Sequence, residues 1–190
     1  MGGRVQVIRH GKPAATWGGD DEDPGLDAVG QEQARAVAAV LAALPTAERP
    51  TRVVSSPLRR CRETAAPLAA ILGVAVEIEP AVGEIPTPAA LSTEARPAWL
   101  KQAFAGDWAD IEGDRDYLAW TREVAAALAR YEGCAVFSHF VALNAAVAAA
   151  EGTAAVLAFR PDHASVTTFE VVDNALRLID KGREASTGVL

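Results

Sequence analysis

The 190-residue chain predicts an α/β fold, and two patterns carry that prediction. First, short β-branched runs at Val5–Ile8, Thr51–Ser55, Val74–Ile78 and Cys134–Ser138 alternate with longer stretches of helical period. That alternation is the signature of strands covered by helices in a doubly wound sheet. Second, two of these runs end on residues that carry chemistry: Arg9-His10-Gly11 closes the first, and His139 closes the fourth. In such sheets ligands bind outside the carboxyl ends of the strands, so these positions mark a candidate site.

Composition bounds the rest. Half of the residues are hydrophobic, alanine chief among them, and the length suits a single domain over residues 1–190. A net charge of −7 excludes a general nucleic-acid or anionic-membrane binder, which needs basic surface. A local arginine cluster is still able to hold an anionic small molecule. The two cysteines, Cys61 and Cys134, fall in helical and strand-like contexts and read as buried thiols in a reducing compartment. No Cys/His spacing resembles a zinc site, no leader-like run opens the chain, and no apolar run reaches membrane length. The expected protein is cytoplasmic, with no metal, no cofactor and no membrane or nucleic-acid partner. Nothing in the sequence specifies an oligomeric state.

Each element follows from local signals. Gly11 permits a sharp turn after the first strand, and the acidic run Asp20–Asp23 reads as a solvated turn, lacking the spacing of a calcium loop. A helix is expected from about Leu26 to Leu44, its apolar face formed by Val29, Gln33, Ala36, Val37, Val40, Leu41 and Leu44. Ser56-Pro57 reads as an N-cap with proline at the first helical position. The helix that follows carries the stripe Leu58, Cys61, Ala65, Leu68 and Leu72, with Arg60 and Thr64 together on another face. Pro67 is expected to kink or split it near Ala66, and Gly73 ends it.

Residues 85–120 hold prolines at their start and the aromatics Trp99, Phe104, Trp108, Tyr117 and Trp120. A segment this long between strands reads as an inserted cap over the strand ends. Its aromatics suit either a satellite core or a pocket lining. Helices are expected at Tyr117–Tyr131 and Val141–Ala150, and Ala164–Asp180 reads as a hairpin turning at Asp173-Asn174. His163 reads as a surface turn residue, with a substrate contact as the alternative.

Four groups, Arg9, His10, Arg60 and His139, fall at or just past strand ends and so converge on one rim. Two guanidinium groups and two imidazoles form a donor set for a phosphoryl group, since arginine pairs bidentately with phosphate oxygens. The amides at the helix start after Ser56 add to that field. A neutral histidine can attack phosphorus and carry it, splitting one hard step into two. The leaving alkoxide then needs a proton from a carboxyl group, and Glu84, at the mouth of the inserted segment, is better placed than Glu63 or Glu79, which read as solvated.

The same residues resemble a family. Ile8-Arg9-His10-Gly11, the Leu-x-x-x-Gly-x-x-Gln-Ala block from Leu26 to Ala34, Ser55-Ser56-Pro57-Leu58-Arg59-Arg60-Cys61-Arg62-Glu63-Thr64-Ala65, Glu84 and Ser138-His139 appear in the order found in the histidine phosphatase (phosphoglycerate mutase-like) superfamily. The resemblance implies that His10 is the phosphorylated nucleophile, that Arg9, Arg60 and His139 hold the phosphate, and that Glu84 donates the proton and later activates water. It also implies a three-layer α/β/α sandwich, a mostly parallel sheet with helices on both faces and a small cap. The expected enzyme is a metal-independent phosphomonoester hydrolase of the histidine acid type. Phosphoglycerate-mutase-type transfer, or a non-catalytic phospho-ligand binding protein, is the alternative. Gly11 and Thr16 are further candidate phosphate contacts. The chain departs from the family pattern at Phe140-Val141-Ala142, where a glycine is usual, and the bulky ring is expected to restrict access.

Overall fold

The computed structural model describes residues 3–15 and 21–186. Six strands form one sheet: β1 Arg4–Arg9, β2 Arg52–Ser55, β3 Val76–Ile78, β4 Cys134–Ser138, β5 Val166–Val172 and β6 Ala175–Asp180. Their order is β3-β2-β4-β1-β5-β6. The first four strands of that order run parallel, and β5 and β6 are added antiparallel at one edge. Five α-helices cover the sheet: α1 Ala28–Ala42, α2 Arg59–Leu72, α3 Arg96–Phe104, α4 Tyr117–Ala129 and α5 Phe140–Glu151.

The alternation of side chains along each strand divides the core into two layers. Val5, Val7, Val54 and Val136 pack with Val124 and Leu128 of α4 and Leu143 and Val147 of α5. Ile8, Val53, Ala135 and Phe137 pack on the other face with Val37, Ala38 and Leu41 of α1 and Cys61, Ala65 and Leu68 of α2. Each such aliphatic side chain contributes about 1.5–3 kcal/mol on burial. The result is the expected three-layer sandwich, with the hairpin as its antiparallel margin. Asp173 and Asn174 both adopt positive φ (52° and 61°), the pair that a two-residue hairpin turn requires.

Local expectations need three corrections. Val29 and Val40 of α1 are half exposed or more, at 52% and 61%, and the buried face is Gly30, Ala34, Val37, Ala38 and Leu41. Val37 and Leu41 hold that face as core, and at its start Gly30 is buried because the Lys12 backbone leaves no room for a side chain. Ser56 does not cap α2: its N-cap is Leu58, with no side-chain bond, and Asp23 accepts from the Arg59 N–H at 2.7 Å instead. The first amide of α2 is therefore not free for a phosphate. Pro67 lies inside an unbroken α2, where packing of Cys61, Ala65, Leu68 and Ala69 on the sheet outweighs the cost of about 3 kcal/mol for the missing hydrogen bond.

Residues 80–120 form short 3₁₀ turns around α3. Trp108 and Trp120 are buried against each other and join the main core, and the Trp99 ring packs on Tyr117. The tryptophans thus make core, and Phe104 is the aromatic of this segment that reaches the cleft.

Candidate active site

The site grows from the sheet register. Arg9 of β1 lies opposite Ser138 of β4, and Phe137 of β4 lies opposite Ser55 of β2. Three parallel strands therefore end together, and the next residues, His10, His139 and Ser56, emerge side by side at the centre of the sheet. All three are buried. β5 runs the other way, so its start meets the same rim: the Ala164 N–H donates to the Arg9 carbonyl at 3.0 Å. That contact brings His163 to a ring-centroid distance of 6.0 Å from His10. His163 is thus a lining residue of the cleft, not a surface turn. Strand polarity decides this, and no local sequence pattern reports it.

His10 is held in one tautomer. Its Nδ1 lies 2.8 Å from the Gly11 carbonyl, which only accepts, so Nδ1 carries the hydrogen and Nε2 presents a lone pair. Burial, followed by the fields of His139, Arg60 and Arg9, holds the imidazole well below its ordinary pKa. A neutral ring with an oriented lone pair is what nucleophilic attack requires, and in the free site that lone pair accepts from the Arg60 Nε–H. Gly11 is tied in turn: its N–H donates to Thr64 Oγ1 at 2.9 Å, and Thr64 Oγ1 donates to the Arg60 carbonyl at 2.7 Å.

The cationic groups close around Nε2. Arg60 Nε is 3.3 Å from it, and Arg60 Nη2 is 3.2 Å from Glu84 Oε2 and 3.3 Å from His139 Nδ1. Arg9 donates through Nη1 to the Pro161 carbonyl at 2.9 Å, while its buried Nε has no hydrogen-bond partner. The Arg9 guanidinium lies over the Phe140 ring, 5.1 Å from its centroid. Phe140 packs at 5.5 Å on Phe104. Instead of blocking entry, Phe140 forms a floor under Arg9 beside a cleft of about 780 Å³. Burial lowers the Arg9 pKa to about 10, which leaves it charged at neutral pH.

His139 is completely buried at the start of α5. Glu84 Oε2, which when ionised only accepts, lies 3.3 Å from its Nδ1, so Nδ1 carries the hydrogen and Nε2 accepts from the Ser56 hydroxyl at 2.8 Å. Burial lowers its pKa despite the opposing field of Glu84. Glu84 follows a 3₁₀ turn, Pro80–Val82, pinned to both strand ends by Ser138 Oγ on the Val82 carbonyl (2.7 Å) and by the Glu79 N–H on the Ser55 carbonyl (2.9 Å). Burial acts to raise the Glu84 carboxyl, but His139, Arg60 and the Ile85 N–H outweigh it and hold the pKa at about 2. Glu84 is therefore ionised in the free site. For His163 burial dominates, then the field of Arg9, and its pKa falls to about 4.

The Leu26-to-Ala34 block has a structural reason. The Lys12 carbonyl accepts from the Asp27 N–H at 3.0 Å, and the Lys12 N–H donates to Gln33 Oε1 at 2.9 Å. A Cβ on Gly30 would stand 2.1 Å from the Lys12 carbonyl oxygen, and one on Gly11 would stand 2.7 Å from that of Gly30. The start of α1 thus touches the His10–Lys12 loop backbone to backbone. Neither Glu63 nor Glu79 is a solvated bystander: Glu63 accepts from the Leu26 N–H at 2.7 Å and Glu79 from the Tyr131 hydroxyl at 2.8 Å. Both lie outside the cleft lining. Thr16, the remaining expected phosphate contact, lies outside the described residues, as do Gly18 to Asp20 of the acidic run. Asp21 and Glu22 line the cleft.

Arg9, His10, Gly11, Arg60, Glu84 and His139 lie in one cluster. Ser56 and Thr64 join it without a sequence signal of their own: both lie inside the Ser55-to-Ala65 block, where an N-cap serine and a helical threonine have commoner local explanations. Among the described residues, no group of three or more His, Cys, Asp or Glu is placed to hold a metal ion, and no helix is long and apolar enough to cross a membrane.

Solved structures share this architecture. Mycobacterial glucosyl-3-phosphoglycerate phosphatase is 23% identical over 96% of this chain and 100% of its own, with a TM-score of 0.72. A phosphoserine phosphatase of Entamoeba histolytica, solved with 3-phosphoglyceric acid, is 18% identical over 95% of this chain and 96% of its own, also at 0.72. No curated protein sequence matches the chain at a significant level. The family model described as histidine phosphatase superfamily (branch 1) matches residues 5–182, nearly the whole chain. The chain belongs to the histidine phosphatase superfamily.

Proposed function

We propose that the protein hydrolyses a small phosphomonoester through a phosphohistidine on His10. The observation that carries this reading is the state of His10: a neutral ring, locked by the Gly11 carbonyl, whose Nε2 faces the cleft among Arg9, Arg60 and His139. The names of the structural neighbours, phosphatases of glucosyl-3-phosphoglycerate and phosphoserine, agree with it.

In the proposed reaction the His10 Nε2 lone pair bonds to phosphorus as the phosphorus–oxygen bond to the alcohol breaks. Arg9 and Arg60 meet the spread charge on the phosphoryl oxygens, and His139 donates its Nδ1–H to one of them. The alcohol leaves with a proton from Glu84. An incoming dianion takes over the Arg60 and His139 contacts that hold Glu84 ionised in the free site, and its own charge raises the Glu84 pKa, so the carboxyl is protonated in the complex. Water then attacks the phosphohistidine, Glu84 takes its proton, and the nitrogen–phosphorus bond breaks to restore His10 and release phosphate. Residues 85–120 act as the cap that selects the alcohol, through Ile85, Pro86, Thr87 and the cleft side of α3.

The test is rapid quench with a phosphorus-labelled aryl phosphate, which should yield an acid-labile, base-stable phosphoenzyme. His10→Ala should abolish both the label and turnover. Substantial turnover by that variant rules out the covalent route. A chelator should leave turnover intact, and a strict metal requirement would sink the side-chain mechanism.

A further inference from the structure

The cleft runs from His10 along α3, and that wall carries two basic side chains, Arg96 and Lys101, among the apolar Pro97, Leu100 and Phe104. Neither forms an ion pair among the described residues. Asp21 and Glu22 also line the cleft but do not neutralise them. Arg96 Nε is buried without a hydrogen-bond partner. A buried donor left unsatisfied is costly, and more so on a charged group, so its position asks for a reason. Helix stability does not supply one: Arg96 is the first residue of α3, where the helix dipole disfavours a cation. Lys101 lies five residues on, about 7.5 Å along the axis and about 140° round it, and both residues line the cleft. The apolar residues between them exclude water from one side, which strengthens any charge contact made there.

We propose that Arg96 and Lys101 form a second anion subsite, so that the substrate is a phosphomonoester bearing a further anionic group, a carboxylate or a second phosphoryl, remote from the reacting phosphorus. The inference rests on the reading of the His10 end as the phosphoryl site. There Arg9, Arg60 and His139 engage one anion, and the pair on α3 engages the other. A cleft of about 780 Å³ leaves room for the connecting skeleton. The arginine fork suits a planar carboxylate or a phosphoryl face bidentately, with the lysine as an adaptable point charge.

Calorimetric titration tests this without relying on turnover. The probes are ω-phosphonocarboxylates of increasing chain length, α,ω-bisphosphonates of the same lengths, and the matching alkylphosphonates that lack a second charge. At the best length the doubly anionic probe should bind at least about ten-fold tighter than its alkyl match, a difference of about 1.4 kcal/mol. Which arm gains more, carboxylate or bisphosphonate, identifies the second group. Arg96→Gln and, independently, Lys101→Gln should each shrink the preference several-fold, with melting curves confirming the fold; Lys101 is exposed, so its variant is the safer of the two. If alkylphosphonates bind and Arg60→Ala abolishes that binding, the phosphoryl reading stands and the preference alone judges the second subsite. Equal affinity at every length, or a preference that both α3 variants retain, overturns the subsite. No binding by any probe overturns the phosphoryl reading and the subsite with it.

Discussion

Replacing Gly30 by alanine sets two ordinary effects against each other. Within a helix the change favours folding by up to about 1 kcal/mol, because alanine has the higher helix propensity. Here the new Cβ would stand 2.1 Å from the Lys12 carbonyl oxygen and within 3.0 Å of two further backbone atoms of Lys12. That is more than an ångström short of ordinary contact, and the obstacle is backbone, so either α1 or the loop after β1 must move. Overpacking costs about 1–3 kcal/mol, and against backbone that has no rotamer to give the upper end applies, so after the propensity gain Gly30→Ala is left destabilised by about 2 kcal/mol. For a chain of this size each kcal/mol lowers the melting temperature by about 2–4 °C. The same movement reaches the site, because the displaced loop includes the Gly11 carbonyl that orients His10. A shift of about an ångström at a reacting atom can cost a hundred-fold in rate. We expect kcat/KM to fall at least ten-fold, measured beside urea denaturation. The exposed Ala36→Gly is the control: it should cost about 1 kcal/mol by propensity and leave turnover alone. A Gly30→Ala protein as stable and as active as the parent would refute the argument that this helix start is packed directly on the catalytic loop.

Two further outcomes follow from the charge states. Glu84→Gln should lower kcat/KM for alkyl phosphates by about 10²–10⁴, and for nitrophenyl phosphate far less, because only a poor leaving group needs the proton; equal losses would remove Glu84 from the acid role. The ring resonances of His10, followed by NMR in the free enzyme, should show no titration at the ordinary histidine value of about 6.5. His10 has a lowered pKa and stays deprotonated as the pH falls through that value, so a His10 ring titrating near 6.5 would contradict the assignment. Folding stability behaves differently. His10, His139 and His163 all have lowered pKa values in the fold, so the unfolded chain binds more protons below about 6.5, and stability should drop as the pH falls from there. Acid denaturation followed by circular dichroism reads this directly.

The elements that were legible in advance are those whose cause is local. A β-branched run bounded by glycine or proline reports a strand wherever it packs, so β1, β2 and β4 were placed within a residue or so. Gly73 and Gly152, in the left-handed conformation that ends a helix, were equally readable. The apolar face of α1 was misplaced because hydrophobic periodicity ranks residues by transfer energy. At its start α1 meets the Lys12 backbone, where only Gly30 fits, and this turns Val29 and Val40 outward. Ser56 was misread for a related reason: its local pattern favours a cap, and only the neighbouring strand end supplies the His139 nitrogen that takes its hydrogen.

The sequence by itself determined the strand–helix alternation, the residues that close the strands and, through the order of its motifs, the superfamily. Only the tertiary structure decided three things. Antiparallel pairing of β5 carries His163 to the rim. The free-site ionisation of Glu84 comes from Arg60 and His139 held within 3.3 Å of it. And α3, laid along the cleft, turns two basic residues into a candidate recognition wall. The physical reason is common to all three. Propensity and periodicity are properties of neighbours along the chain, whereas a charge's state and a side chain's exposure depend on groups brought near from distant segments.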